Sequence, residues 1–429
     1  MTPPDTLRDA PDTAPKTPSA GNTRIAIAAG CVGNFLEFYN FLVYVFFAPM
    51  IGEAFFPSQD ELARLLSALL AFGAGFLARP LGAIVFGAAT RRIGNGPVLM
   101  ITLSLMAAGS LILALCPTHA SIGIAAPILI ITARLLQGFS EGGEVGPATD
   151  FLFSLGQGRD AGLLGAMQAV TQTFASLVAV LLGLALSLTL SHTRLYTWGW
   201  RIPILAGLAV VPFGIVLRRM AITTHPAAST PKTPDSRVNP LNLALIFLTI
   251  TSSTITTYVR TFGVSYAISV LHLPTTTAMA GSAIGMAIAL AIALLSLTYI
   301  RKTHPLQILI PATLANIITL YPCYALAISH PSLATQTLLN TCLFTFSTLA
   351  LLATYSIMLH TLPNHTRAAI FGIAYTIAVS VFGGATTPAL TWLIHQTHTP
   401  MTPAYVSLIA IPLGLAATTL LARRAPTPL

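Results

Sequence analysis

Charge is what this sequence has least of. Its 429 residues include 21 Lys and Arg and 12 Asp and Glu, and no acidic residue follows Asp235. A water-soluble domain carries about 25% charged residues; at 8% this chain cannot cover a surface facing water. Cysteine is scarce too. Cys31, Cys116, Cys323 and Cys342 stand in apolar runs without Cys-x-x-Cys spacing, which argues against a disulfide framework or thiolate centre and leaves packing. There is no Gly-rich phosphate loop with its Lys, so no ATPase cassette. No nucleophile-and-base or metal-ligand constellation appears, so neither an enzyme nor a bound metal or cofactor is expected. The two-residue alternation of membrane strands is missing as well, which sets aside a β-barrel.

What is present is apolar length. Hydrophobic residues make up 54% of the chain, and about 20 in a row suffice to span a bilayer as a helix. Twelve such runs occur, at 24–50, 62–89, 98–116, 121–148, 162–190, 199–217, 241–270, 276–299, 305–328, 332–359, 367–394 and 402–422. In lipid each backbone N–H and C=O must be satisfied internally, so the runs read as helices. The expected class is an all-α membrane protein with twelve transmembrane helices. The net charge of +9 does not call for nucleic acid. With the N-terminus placed in the cytoplasm, 15 of the 21 Lys and Arg fall on the cytoplasmic side, the bias that membrane topology requires. Both termini are then cytoplasmic, in the inner membrane. Residues 1–23 are polar and read as a disordered cytoplasmic tail rather than a cleavable signal.

The stretch 218–240, basic and rich in Pro and Thr, reads as a cytoplasmic linker between bundles at 24–217 and 241–424. The halves echo each other. Arg91-Arg92 follows the second span and Arg301-Lys302 the eighth; Arg159 precedes the fifth and Arg367 the eleventh. Two pseudo-symmetric six-helix bundles can rock about a central site, and this is a transporter's architecture. Gly138, Gly142 and Gly146 in the fourth span, and Gly281 and Gly285 in the eighth, permit close helix contact. Pro80, Pro147, Pro311, Pro322, Pro388 and Pro412 lie within spans and imply kinks. His395 and His398 read as interfacial caps.

A charge at the bilayer centre costs about 2.5–3.5 kcal/mol on insertion scales, so the buried charges mark the interior. In the fourth span Arg134, Gln137, Glu141 and Glu144 fall within an arc of roughly 80° at 100° per residue. In the first span Glu37, Asn40 and Tyr44 share a face; in the fifth Gln168, Thr171 and Gln172 do. Depth pairs Glu37 with Arg134, and Arg79 with the lower carboxylates Glu141 and Glu144. Permanent structural ion pairs are one reading. A carboxyl that binds and releases protons is the other, since burial and a nearby cation pull its pKa in opposite directions. In the second half Arg260 is the only mid-span charge. It must pair across the bundle, snorkel, or meet an anion from outside, with Tyr258, Thr257 and Thr261 adding hydroxyls. Tyr355 and Tyr375 are weaker candidates, read mainly as packing.

Several stretches together resemble the major facilitator superfamily, in particular its metabolite–proton symporter branch, and are similar there to citrate and tricarballylate symporters. They are GNFLEFYNFLVY with the FFP after it, GFLARPLGAIVFG, ARLLQGFSEGGEVG, WGWRIPIL and AYTIAVSVFGG. The resemblance implies twelve helices and co-transport of an organic acid with protons by a monomer. Matched to the motif positions, it carries over Glu37, Arg79, Arg134, Gln137, Glu144, Gln168, Gln172 and Arg367. Proton coupling is expected at Glu37, Glu141 and Glu144. Substrate contact is expected at Asn40, Arg134, Gln137, Gln168, Gln172, Tyr258 and Arg260, and gating or structural roles at Arg79, Arg91, Arg92 and Arg367. The chain also departs from the pattern. Asn40 stands where the family has Asp, Glu141 where a small residue is usual, and Arg91 at the Asp of the loop after the second span. Ser154 and His360 replace two Glu. Because Asn40 cannot titrate, an uncoupled facilitator stands beside the symporter, and a membrane sensor that binds without transport is the third reading.

Overall fold

The computed structural model describes residues 20–155, 159–208, 239–300, 303–361 and 367–424. Among them all regular structure is helical. The first span runs Ala20–Phe46 and continues as Ala48–Phe55 after a bend of 61°. Pro49 lies in the first turn of the second piece, where a missing N–H costs no helical bond. The second to fifth spans are Glu61–Ile93, Asn95–Leu115, Ala125–Leu155 and Arg159–Thr189. The sixth is described over 201–208. After the break come Pro240–Ser269, Thr275–Ile300, Pro305–Ser329 and Leu333–Thr361 as spans seven to ten. The eleventh is Arg367–Ala378 and Gly384–Thr397 joined by a π-turn at Val379–Gly383; the twelfth is Thr402–Ala422. The linker expected at 218–240 lies outside the described residues except at its last two positions, as does most of the expected tail.

Eight described helices are long and apolar enough to cross a membrane, and the bent first pair makes nine. The fourth falls outside this set because Arg134, Gln137 and Glu141 dilute its apolarity. Leu77, Ile84, Leu188 and Ile318 are at least 70% exposed, so the outer wall is greasy while charges turn inward. Capping starts several helices. Asp60 accepts from the Leu62 N–H (2.9 Å), Asn239 from Leu241 (2.9 Å), and His304 Nδ1 from Leu306 (3.2 Å). Within the spans many Ser and Thr donate to a carbonyl one turn back, as Thr132 does to Ile128 (2.8 Å), which satisfies the hydroxyl in an apolar setting.

Glycine sets the approach of the second and fourth spans. A Cβ at Gly138 would overlap the Gly75 carbonyl oxygen, and one at Gly142 the Arg79 carbonyl. This contact lays Arg79 beside Glu141. Its counterpart in the other half is Gly281 and Gly285 of the eighth span against Gln336 and Asn340 of the tenth.

The halves touch at the end of the bundle away from the linker. There the Ser265 hydroxyl donates to the Val45 carbonyl (2.5 Å), Gly73 meets Gly384, and Gly183 meets Met279. Replacing Gly138 by Leu is expected to lower thermal stability by more than about 3 kcal/mol, beyond ordinary overpacking, while Gly87→Leu, with no neighbour within 4 Å, is tolerated. Melting of the two purified variants by fluorescence-detected size exclusion checks this.

Candidate functional site

The buried charges sit in three settings. Arg79 Nη2 bonds Glu141 Oε2 at 2.6 Å, the two being 4% and 2% exposed. The Arg79 guanidinium also lies over the Phe76 and Phe41 rings, 4.4 and 4.6 Å from their centroids. Each ring presents a negative face to the cation. Glu37 is partly buried and acts electrostatically on both Arg79 and Glu141. Arg79 thus meets a lower carboxylate, as its depth implies.

Arg134 does not pair with Glu37 as expected. Its Nη1 donates to Gln137 Oε1 (2.6 Å), and Gln137 in turn donates to the Ser110 hydroxyl (2.8 Å). Tyr44, Phe72 and Phe41 surround the guanidinium at 4.5, 4.9 and 5.3 Å. Residues 134 and 137 are one turn apart, so the amide reaches the cation within its own helix. Among the described residues no carboxylate lies within ion-pair distance of Arg134.

Arg260 is 3% exposed, so it does not snorkel. Nη1 donates to the Ser347 and Thr348 hydroxyls, both at 3.0 Å, and Phe344 lies 5.0 Å away. Nε has no partner. Thr348 also meets Thr173 of the other half at 3.2 Å. No Asp or Glu exists in this half of the sequence to answer the charge.

Between these groups, on the linker side of the contacts that join the halves, is a cavity. Phe38 and Gln172 line it from the first half; Tyr258, Tyr355 and Tyr375 from the second. Gln172 Nε2 has no hydrogen-bond partner, and Tyr355 lies within the field of Arg260. Tyr258 packs on Phe76 and Phe72 and feels Arg79, Glu141, Glu37 and Arg134. It links the charged group of one half to the cavity wall of the other. Gly383, in the π-turn of the eleventh span, lets the chain pass close to Phe76 and Tyr258. Tyr355 and Tyr375, read mainly as packing, are cavity walls.

Asn40 is not among the residues that line the cavity. Its Nδ2 donates to Leu36 O (3.1 Å) and approaches Met106 Sδ (4.0 Å), while Oδ1 faces Gly207. It points into the seam with the third and sixth spans, away from the cavity. The Gln168 backbone carbonyl accepts from Asn34 at 3.1 Å. Arg92 is exposed. The side chains of Arg91, Glu144 and Arg367 lie outside the described residues. The sequence reading also passed over Phe41, Phe72 and Phe76; the Phe-x-x-x-Phe spacing beside Arg79 is the signal that could have found them.

Two halves of membrane-length helices about a central cavity, with charges turned inward, define a polytopic protein of the rocking-bundle transporter class. A family model described as "Sugar (and other) transporter" matches residues 26–222. The citrate-proton symporter of Salmonella typhi is 33% identical over 422 residues, 95% of either chain. That of Klebsiella pneumoniae is 32% identical over 427 residues, 96% of this chain and 95% of the relative. The xylose transporter XylE from E. coli shares the fold with a TM-score of 0.70 at 14% identity, over 95% of this chain and 98% of its own. The chain belongs to the major facilitator superfamily, in its metabolite–proton symporter branch.

At the end away from the linker, His395 Nε2 lies 2.6 Å from Asp60 Oδ2, and His272 4.0 Å from Glu61. Both contacts join the halves. Partial desolvation pushes the Asp60 carboxyl up, but the hydrogen bonds from His395 and the Leu62 N–H and the charge of His395 together outweigh it, holding the group below its ordinary value. Its contribution to this closure is therefore full above the ordinary carboxylate range and lost as pH falls through the depressed value. An exposed pair is worth about 0–1 kcal/mol, so Asp60→Asn is expected to raise maleimide labelling of a cysteine placed at Ser269 up to about fivefold at pH 7. Unchanged labelling would remove the pair from the closure.

Proposed function

We propose that the protein is a secondary active transporter that moves a small organic anion, a citrate-like di- or tricarboxylate, across the inner membrane together with protons. Both termini face the cytoplasm, and the monomer within the bilayer is the working unit. The observation that carries this reading is Arg260, a buried guanidinium without an acidic partner behind the wall of the central cavity. A fully buried cation calls for an anion. The substrate supplies it on arrival, and Gln172, Tyr258 and Tyr355 give it hydrogen-bond partners. The near full-length relatedness to proteins named as citrate-proton symporters supports the same substrate class.

Proton coupling follows from the charge balance. Buried Glu141 and half-buried Glu37 are the described carboxylates of the interior, set against Arg79, Arg134 and Arg260. Protonating Glu141 releases Arg79 from its bond and raises the positive charge at the cavity, which favours an anion. Because linkage is reciprocal, the bound anion favours protonation in turn. Glu141 takes the role of the family's first-span Asp, which Asn40 cannot fill. Glu37 biases Glu141, Glu144 is the further candidate on the same helix, and Arg134, Gln137 and Gln168 complete the polar surround. Arg91, Arg92 and Arg367 are proposed for the gate at the linker end. In transport the contacts at the far end part, the linker end closes, and the cavity exchanges sides. The substitution at Asn40 favours one rival, an uncoupled facilitator.

In proteoliposomes, citrate uptake is expected to rise with an inward proton gradient; a flat response would favour the facilitator. Arg260→Ala should cut uptake at least tenfold with the protein still monodisperse, whereas full uptake would take Arg260 out of the site. Glu141→Gln should leave residual uptake that no longer responds to pH, and a wild-type pH profile would place coupling elsewhere.

A further inference from the structure

A second cavity lies inside the second bundle among the seventh, ninth, tenth and twelfth spans. It shares Ser253, Thr257, Leu351 and Thr354 with the central cavity, so the two adjoin. No ionisable side chain lines it. Four of its hydroxyls turn their protons to the backbone. Ser252 donates to Ala410 O (2.7 Å), Thr256 to Ser252 O (2.9 Å), Thr418 to Gly414 O (2.7 Å), and Ser347 to Leu343 O. A hydroxyl has one proton to give and two lone pairs. With these four protons committed to the backbone, what these groups offer the chamber is oxygen acceptors, as does Asn316 Oδ1.

Two further groups are in want of partners. Thr313 and Asn316, one turn apart on the ninth span, are 4% and 2% exposed, and neither Thr313 Oγ1 nor Asn316 Oδ1 has a hydrogen bond. Buried polar atoms are normally satisfied, by protein, water or ligand. The electrostatics narrow the choice of ligand. Arg260 bonds Ser347, which lines the chamber, and no carboxylate in this half offsets its field. A cation is disfavoured by that field, and a carboxylate by a lining of acceptors. A neutral hydrogen-bond donor suits both.

We propose that the chamber receives a hydroxyl group of the transported anion while its carboxylates stay with the central cavity and Arg260, and that Thr313 and Asn316 are the specificity-determining residues for it. A hydroxycarboxylate is then preferred over the same acid without the hydroxyl. This rests on the anion-transport reading above and adds which anions pass.

The test compares acids that differ by one hydroxyl. Full-length protein in proteoliposomes is loaded for counterflow of labelled citrate, and unlabelled citrate, tricarballylate, malate and succinate compete. Citrate over tricarballylate, and malate over succinate, should each show about tenfold tighter inhibition, the scale of one well-made hydrogen bond of about 1.4 kcal/mol. In Thr313→Val with Asn316→Leu the preference should shrink to about twofold while tricarballylate inhibition stays as in the wild type, which also shows that the variant folds. Equal inhibition within each pair for the wild type means that the chamber holds water alone and overturns the inference, leaving anion transport standing. A preference undiminished in the double variant overturns the assignment of these two residues. Absence of counterflow with every carboxylate overturns the transport reading and this inference with it.

Discussion

Three guanidiniums lie deep among the helices of this protein, and each is answered differently. Arg79 has a carboxylate at 2.6 Å. Arg134 has an amide and a ring of aromatic faces. Arg260 has two hydroxyls and no described acid. The rest of the arrangement follows from the need to keep these cations off hydrocarbon. The glycines of the second and fourth spans bring Arg79 to Glu141; the phenylalanines fill the space between Arg79 and Arg134; Tyr258 spans from one half to the other. A buried ion pair is a poor source of stability, since desolvation offsets much of its attraction, but breaking one leaves a costly unpaired charge. Such a pair suits a switch better than a brace.

The two halves divide the chemistry. The first holds the described carboxylates of the interior, and so the groups able to take up a proton. The second holds one guanidinium and many hydroxyls, and so the groups able to receive an oxygen-rich anion. The cavity lies where the two sets meet. A transporter built this way couples its ligands through charge balance, because proton and anion each change the field that the other meets.

Much of this was legible in the chain. The scarcity of charge together with the repeated apolar runs gave helices, and the loop arginines gave the two halves. Depth placed Arg79 level with Glu141 and Glu144, and Glu141 is the one it bonds, because two residues at one level on adjoining helices can meet if glycine lets the helices close. Depth failed for Arg134, where Gln137 one turn away offered a nearer partner than Glu37. Asn40 differs from Glu37 in azimuth. It sits about 60° round the first helix from Glu37 at 100° per residue, enough to turn it into the seam with Gly207. The π-turn at Val379–Gly383 and the contact of Asp60 with His395, 335 residues apart, leave no local trace in the sequence. The hydroxyl chamber was hidden for a related reason: Ser and Thr in a span read alike whether they close on their own backbone facing lipid or facing a cavity.

The central claim is that anion and proton share one charge balance. It is tested most directly without transport at all. Purified protein in nanodiscs, in weakly buffered solution with a pH-sensitive dye, is mixed with citrate near neutral pH. The account predicts net proton uptake that saturates with anion binding and is absent in Glu141→Gln. Saturable binding with no proton taken up by the wild type would contradict it.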